Sequence, residues 1–262
     1  MPQMVAPLRL FALAGAAALG FLAVTGPLAA QGFSSDQRQE IERIIREYIV
    51  SHPEVLQEAV AELEKRQAQA EAERQRSTIG AHRDALLNSP HHVTLGNPQG
   101  DVTLVEFFDY NCGYCKRALS DMLELLKTDT KLKIVLKEFP VLGPGSIEAA
   151  QVAVAARMQD KTGKKYLEFH QRLLGGRGQA DKARALAAAK EAGFDVARIE
   201  RDLGSPEVKA TIEESMKLAE SLGINGTPTY VIGDAVVPGA VGAANLKRQI
   251  EAARAAAASP TR

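Results

Sequence analysis

The sequence predicts an α/β fold in which a mixed sheet carries helices on both faces. Its patterns follow the order strand, strand, helix, strand, a long helical block, strand, strand and helix, which suits such a layered arrangement. The run over 102–108 is apolar and β-branched, the pattern of a strand buried on both faces. Residues 118–126 then place apolar side chains at helical spacing.

The only two cysteines of the 262-residue chain, Cys112 and Cys115, stand where that strand turns into the helix. Asp109, Tyr110 and Asn111 suit a turn and a helix N-cap, so we expect Cys112 in the first helical turn. Unpaired N–H groups and the helix dipole stabilise a thiolate there. Cys115, one turn further in, is expected to be buried and to attack a mixed disulfide formed at Cys112. A Cys-x-x-Cys at a strand-to-helix turn is the thioredoxin-type redox arrangement.

Two other uses of the cysteine pair are a static disulfide and half of a structural zinc site. A structural zinc site takes four ligands, and the chain has no second cysteine pair. The pair His91-His92 has no third ligand nearby in the sequence. We therefore expect no metal, and no cofactor besides the redox-active disulfide Cys112–Cys115.

Glu106 lies in the middle of the same strand, with Leu104 and Phe108 as its neighbours on one face. Burial should raise the pKa of this carboxyl, and we predict that it accepts the proton of Cys115. The alternative is a strand-edge residue that faces solvent. Lys137, in a strand predicted over 131–139, either pairs with Glu106 inside the protein or lies in solvent.

The first 30 residues contain no acidic residue and one basic residue, and an apolar run over 10–24 is broken by a Gly-Pro pair. This pattern fits a secretory signal, cleaved after Ala30 or Gly32, with an uncleaved membrane anchor as the alternative. Export implies the oxidising periplasm, where a protein with two cysteines is expected to be catalytic. The balance of 32 basic and 32 acidic residues argues against nucleic-acid or polybasic membrane binding.

Residues 31–79 differ from the rest of the chain. A capping box at 34–37 predicts one helix, and a second is expected after Pro53, ending near Arg76. Their apolar stripes bury little alone and must pack on the main domain or on another subunit. We predict a helical oligomerisation segment; Leu56, Leu63 and Ala70 give too few heptads for a coiled coil.

The rest is expected to form a domain over 80–257, with a helical insertion at about 144–222 and a disordered tail at 258–262. Helices are predicted at 81–88, 146–160, 164–174, 181–192, 195–202, 206–222 and 243–257. An edge strand at 91–95, strand character at 223–233 and a strand at 235–237 complete the pattern. The glycine cluster at 175–178 follows no strand, so we interpret it as a loop between helices.

Three motifs resemble the DsbA family of thioredoxin-fold proteins: Glu-Phe-Phe-Asp-Tyr-Asn-Cys-Gly-Tyr-Cys at 106–115, Lys-Glu-Phe-Pro-Val-Leu-Gly at 137–143 and Gly-Thr-Pro-Thr-Tyr at 226–230. The resemblance covers about 91–255. It implies a thioredoxin fold with an inserted helical domain, and a cis peptide between Thr227 and Pro228 that faces the cysteines. In the family this strand entrance holds extended substrate by backbone pairing. We therefore expect substrate contacts from Gly113, Tyr114, Thr227 and Pro228.

The N-terminal segment resembles the suppressor-of-copper-sensitivity C (ScsC) branch, whose members include oligomeric disulfide isomerases. Two positions depart from the strongly oxidising pattern: Gly113-Tyr114 replaces Pro-His, and Thr227 replaces Val, both as in the isomerase DsbC. Without the intervening His the disulfide should be less oxidising, which favours shuffling over net oxidation.

The sequence therefore predicts an exported disulfide isomerase that acts on unfolded or misfolded periplasmic proteins. We expect a homo-oligomer, a trimer before a dimer, reset by a membrane reductase of DsbD type rather than an oxidase of DsbB type. One alternative is a DsbA-like dithiol oxidase. Another is a copper-binding protein that uses Cys112, Cys115 and a histidine.

Overall fold

The structure, a computed structural model, describes residues 32–160 and 162–258. The predicted secretory signal lies outside the described residues, as does the predicted tail except Ala258. The chain divides into two compact units, one ending at Ala61 and one beginning at Glu62. Within the described ranges, each helix is too short or too polar to cross a membrane.

The secondary structure of the described residues follows the predicted order. The helices are α1 (Ser35–Ser51), α2 (Glu54–Ala81), α3 (Arg83–Leu87), α4 (Gly113–Thr128), α5 (Pro144–Arg157), α6 (Lys164–Leu174), α7 (Lys182–Glu191), α8 (Val196–Asp202), α9 (Pro206–Ser221) and α10 (Ala243–Ala258). The strands are β1 (Val93–Gly96), β2 (Val102–Phe108), β3 (Leu132–Glu138), β4 (Thr229–Ile232) and β5 (Ala235–Pro238). Helices α5 to α9 form the predicted insertion, and their ends lie within three residues of the predicted ends.

The strands form one mixed sheet in the order β1-β3-β2-β4-β5. Strands β2 and β3 are parallel, whereas every other neighbouring pair is antiparallel. Because β2 lies in the middle, Glu106 has Leu136 of β3 on one side and Tyr230 of β4 on the other. The predicted mixed sheet with β1 at its edge is confirmed.

Alternate residues of β2 face two different hydrophobic clusters, as the predicted doubly buried strand requires. Leu104 and Phe108 belong to the larger cluster, which includes the apolar stripe of α4 and much of the helical insertion. Val105 and Phe107 belong to a second cluster with Ile79 at the end of α2 and residues of α3 and α9. The sheet thus carries helices on both faces, and β2 ends at the site built below.

Helix α1 begins with the predicted capping box. The Gln37 N–H donates to Ser34 Oγ at 3.2 Å, and the Ser34 N–H donates to Gln37 Oε1 at 2.9 Å. Every residue of α1 is at least partly exposed, and Ile44, Ile45 and Tyr48 are each 52% exposed. The apolar stripe predicted from the sequence is therefore present and open to solvent.

Helix α2 is longer than predicted. We expected it to end near Arg76, because Ser, Thr and Gly at 77, 78 and 80 are weak helix formers. The structure continues the helix to Ala81. Buried Ile79 packs into the second hydrophobic cluster, and this packing outweighs the weak intrinsic preference of its neighbours.

Candidate active site

Both cysteines lie at the start of α4, directly after β2. Cys112 is the N-cap of the helix, with φ −77° and ψ 117°, and its carbonyl accepts the Lys116 N–H at 3.1 Å. The cap was predicted at 109–111 with Cys112 in the first turn, so the helix begins later than expected. The physical reason is that the Cys112 N–H donates to Asp109 O at 3.1 Å and closes a turn before the helix. Cys112 keeps its position at the positive end of the helix dipole.

The two thiols differ in surroundings. Cys112 is 6% exposed, whereas Cys115 is fully buried, as predicted. Burial raises the pKa of the Cys115 thiol. The thiol of Cys115 therefore needs a proton acceptor before it can act as a nucleophile.

The loop before β4 faces the cysteines. The Cys112 Sγ–H donates to the backbone oxygen of Thr227 at 3.1 Å, and the Thr227–Pro228 peptide bond is cis, as the family resemblance implied. The Thr227 side chain lowers the pKa of the Cys115 thiol, against the larger opposite effect of burial. Gly113 and Tyr114 are exposed between the two cysteines.

Glu106 is buried in the middle of the sheet, 3% exposed, on the face of β2 that meets α4. Burial, with a smaller contribution from the negative charge of Asp121, raises the pKa of Glu106 to about 8. The negative charge of Glu106 in turn raises the pKa of the Cys115 thiol. The predicted burial and raised pKa are confirmed, and the strand-edge alternative is wrong.

The sequence left two places for the Lys137 ammonium group, a pair with Glu106 or solvent, and both expectations are wrong. Lys137 is fully buried, so it does not lie in solvent, and it does not pair with Glu106. Its Nζ donates to Glu214 Oε1 at 2.6 Å and to Ala85 O at 2.9 Å. Lys137 is opposite Phe107 in the register of β2 and β3, so its side chain emerges on the face away from Glu106.

The sequence indicated Asp109 as a turn residue but did not predict the hydrogen bonds that its carboxylate accepts. Among the described residues, four donors point at its buried carboxylate. Oδ1 accepts the Asn111 N–H and the Ser146 hydroxyl, both at 2.7 Å. Oδ2 accepts the N–H groups of Val141 and Leu142 at 2.9 and 3.0 Å. The carboxylate thus fastens the turn before Cys112 to the loop after β3 and to α5.

A chain of buried polar rings lies behind the cysteine turn. Tyr110 Oη lies 3.1 Å from Tyr166 Oη and 3.2 Å from His170 Nδ1, and the Tyr166 hydroxyl donates to Glu138 Oε1 at 2.8 Å. Burial raises the pKa of Glu138 well above its usual range and lowers the pKa of His170 to about 3. No sequence pattern predicts this hydrogen-bonded group, because its members come from β3, the turn before α4 and helix α6.

Exposed apolar side chains gather on the segments that Asp109 connects. In the described part of the second unit, four of six large exposed apolar residues lie there: Tyr114, Val141, Leu142 and Ile147. We call these four residues the apolar rim. A groove of about 620 Å³ also runs beside Tyr114 and Arg117 and along the segment from Leu222 to Thr229.

The histidine pair is not arranged as a metal site. The ring of His91 contacts Glu207 at 3.3 Å and Thr211 at 3.4 Å, and burial lowers the pKa of His92 to about 3. Within 32–160 and 162–258, no three His, Cys, Asp or Glu side chains lie close enough together to share a metal ion.

Solved structures resemble this chain over most of their length. A thioredoxin-like oxidoreductase from Silicibacter pomeroyi DSS-3 is 47% identical, with 66% of this chain and 98% of that chain covered and a TM-score of 0.63. ScsC from Proteus mirabilis, in a transitional conformation, is 29% identical, with 86% of this chain and 98% of that chain covered and a TM-score of 0.62.

Curated relatives match only in part. The Na(+)/H(+) antiporter NhaA 1 of Salinispora arenicola is 30% identical over 139 residues, which are 52% of this chain. The match spans only 21% of the antiporter's length. This similarity therefore concerns one part of a much longer protein.

Two family descriptions match different parts of the chain. Residues 37–70 match the copper resistance protein ScsC N-terminal domain. Residues 103–251 match the DSBA-like thioredoxin domain, and this segment carries the cysteine pair, the helical insertion and the cis-proline loop. The chain therefore belongs to the DsbA-like thioredoxin-domain family, and the matched segment contains both Cys112 and Cys115.

Proposed function

We propose that this protein is a thiol:disulfide oxidoreductase with Cys112–Cys115 as its redox pair, and that it works as an exported disulfide isomerase for misfolded periplasmic proteins. The observation that carries the proposal is the exposed apolar stripe of α1 and α2, in a segment that matches the ScsC N-terminal domain. An apolar stripe of this kind favours self-association. A homo-oligomer would hold several Cys112 sites around one misfolded chain and raise their effective concentration.

The chemistry starts at Cys112. Its thiolate attacks one sulfur of a substrate disulfide, the substrate S–S bond breaks, and the second substrate sulfur leaves as a thiolate. A mixed disulfide then joins Cys112 to the substrate. In isomerisation, another substrate thiolate attacks the substrate sulfur of this mixed disulfide and releases Cys112 as a thiolate. The substrate has exchanged one disulfide for another with no net oxidation.

Cys115 resolves the mixed disulfide when no substrate thiol attacks it. Glu106 accepts the Cys115 proton, and the resulting thiolate attacks Cys112 Sγ and expels the substrate as a thiolate. Cys112 and Cys115 are then oxidised to a disulfide, and the substrate disulfide has been reduced by two electrons. A carboxyl with a pKa of about 8 suits this transfer, since it can hold or release a proton near neutral pH.

Substrate would lie along the cis-proline loop and the apolar rim. The Thr227 carbonyl next to Pro228 accepts the Cys112 thiol in the structure, and once that thiol reacts the Thr227 backbone can take an extended segment by strand addition. Gly113 and Tyr114 would contact this segment beside the nucleophile. The apolar rim suits side chains that a folded protein would bury, which favours unfolded or misfolded substrates.

Three expectations remain part of the proposal. The oligomer is expected to be a trimer in preference to a dimer. The protein works in the periplasm. A membrane reductase of DsbD type, rather than an oxidase of DsbB type, keeps Cys112 reduced, because isomerisation requires the free thiolate.

The test is refolding of a scrambled protein that contains several disulfides. An isomerase restores activity in a sealed redox buffer without net loss of thiols, whereas a DsbA-like oxidase only forms disulfides from a reduced substrate. Cys112→Ser should abolish recovery. Recovery that needs added oxidant would instead support the oxidase.

The family description of residues 37–70 also names copper resistance, so copper binding is a second candidate. Cys112 and Cys115 with a histidine would be the ligands. Copper titration of Cys112→Ser tests it: unchanged affinity in the variant removes the cysteine site from consideration.

A further inference from the structure

The side chains that flank the cysteine pair both hold one loop of the helical insertion. Asn111, which precedes Cys112, accepts the Ala180 N–H at 2.7 Å and donates to Ala180 O at 2.8 Å. Lys116, which follows Cys115, donates from Nζ to Gly176 O at 3.1 Å and to Gly178 O at 3.3 Å. Residues 175–180, here called the glycine loop, are thus fixed next to the redox pair from both sides.

The conformation of the glycine loop needs its glycines. Gly178 has φ +81°, a left-handed conformation that other residues rarely adopt. A Cβ on Gly175 would lie 2.7 Å from Gln171 O, and one on Gly176 would lie 2.6 Å from Arg184 Nη2. The guanidinium of Arg184 therefore packs directly against the loop.

The glycine loop presents positive charge. Arg177 is exposed at its tip, and in the described ranges its guanidinium has no ion-pair partner. Arg184 and Lys116 add two more cations, and Arg117 lies over the ring of Tyr114 at 4.4 Å. The whole sequence balances 32 basic against 32 acidic residues, so this concentration of cations is local.

Two acidic groups on the adjoining helices accept hydrogen bonds from backbone N–H groups. Asp181 caps α7 by accepting the Arg184 N–H at 2.9 Å, and Glu148 accepts the Lys182 N–H at 3.1 Å. Neither carboxylate forms an ion pair with Arg177 in the described part of the chain. The Arg177 guanidinium is left available for a charge that a partner brings.

We propose that the glycine loop is a specificity element that selects substrate segments with acidic side chains next to the cysteine under attack, through Arg177. The inference rests on the proposed thiol–disulfide exchange at Cys112 and adds a preference to it. A carboxylate near the substrate cysteine would be drawn toward the loop and would guide the disulfide to Cys112. The apolar rim would bind substrate segments of either charge, whereas the glycine loop would favour acidic segments over basic ones.

The experiment compares two synthetic disulfide-linked peptides with the reduced full chain. The peptides are identical except that glutamate or lysine flanks the cysteine on both sides. We expect exchange with the acidic peptide to be faster by about two- to fivefold at low salt, the size of effect that exposed charge pairs produce. The ratio should fall toward one in about 1 M salt, where screening acts over about 3 Å.

Arg177→Glu should reverse the peptide preference, and Arg177→Gln should bring the ratio near one. Arg248→Glu makes the same charge change at an exposed residue of α10 and should keep the wild-type ratio. Equal thermal unfolding of the variants shows that folding is not the cause.

A wild-type ratio near one, with both peptides reacting, overturns the inference, as does an unchanged ratio in Arg177→Glu. If the wild-type chain reacts with neither peptide, the exchange activity itself is wrong and the preference falls with it. The two failures are therefore distinguishable.

Discussion

The sulfur of Cys112 lies 3.1 Å from the backbone oxygen of Thr227, so the N-cap of α4 and the cis-proline loop meet at a single hydrogen bond. The side chain of the same threonine lowers the pKa of the Cys115 thiol. One residue of the loop thus acts on both members of the cysteine pair and connects the proposed substrate platform to the chemistry.

Removing the resolving thiol should trap the reaction midway. In Cys115→Ala, the mixed disulfide at Cys112 has no internal nucleophile to break it. We expect covalent complexes with substrate proteins that disappear on reduction, seen by non-reducing electrophoresis and mass spectrometry. Cys112→Ser/Cys115→Ala is the control and should form none. The absence of any covalent complex in Cys115→Ala would overturn the assignment of Cys112 as the nucleophile.

The Thr227 side chain should speed resolution. Thr227→Val removes the hydroxyl that favours the Cys115 thiolate, so mixed disulfides at Cys112 should persist several-fold longer. Thr227→Ser keeps the hydroxyl and should restore the wild-type lifetime. Stopped-flow quenching with a peptide disulfide measures both, and equal lifetimes for Val and Ser would show that the hydroxyl has no role.

Glu106→Gln should slow resolution and change the dependence of stability on pH. The pKa of Glu106 rises from 4.5 to about 8 on folding. The folded protein therefore binds the proton of Glu106 more tightly than the unfolded chain does. The stability that the protonated carboxyl contributes is fully present below pH 4.5 and is lost as the pH rises through about 8. Glutamine does not titrate, and the stability of Glu106→Gln relative to wild type should rise across that window by at most about 5 kcal/mol.

Urea unfolding of Glu106→Gln from pH 4 to 9 tests the titration, with Glu251→Gln on the exposed face of α10 as the control. Parallel stability curves for wild type and Glu106→Gln would contradict the buried titration. If Glu106→Gln resolves mixed disulfides at the wild-type rate at every pH, Glu106 does not accept the Cys115 proton and its role is purely structural.

Asp109→Asn should destabilise the protein although the side chain keeps its shape. Three partners of Asp109 are backbone N–H groups, which cannot accept a hydrogen bond. Either orientation of the amide directs its NH₂ at one or more of these donors, at a cost of about 1–3 kcal/mol. Asp101→Asn, in an exposed pair with Arg254, should cost clearly less in the same unfolding assay. Equal losses for the two variants would contradict the network.

Features set by neighbouring residues could be predicted from the sequence. The apolar run of β2, the cysteine pair and the capping box of α1 each depend on a few adjacent residues, and each was found where expected. The cis bond at Pro228 came from the family resemblance rather than from local pattern.

Features that depend on distant partners were missed. Lys137 is buried because Glu214, 77 residues away, supplies its counter-charge. Helix α2 continues past its weak helix formers because Ile79 packs on the sheet. Asp109 was identified as a turn residue, but its bonds to Ser146, Val141 and Leu142 join segments more than 30 residues away.

The buried position of Ile79 also changes how the N-terminal segment should be tested. Deleting 31–79, the predicted oligomerisation segment, would remove a core residue. A deletion of 32–70 leaves Ile79 in place and covers the whole match to the ScsC N-terminal domain. This variant is expected to sediment as a folded monomer that still exchanges disulfides with small peptides.

The most direct measurement is therefore the refolding of a scrambled protein by the full chain and by the 32–70 deletion, at equal concentrations of Cys112. We expect the full chain to restore activity without net oxidation, and the deletion to lose this ability while it oxidises reduced substrate more readily. Equal isomerase activity in both would contradict the role of the segment. A full chain that only oxidises reduced substrate would contradict the proposed isomerase.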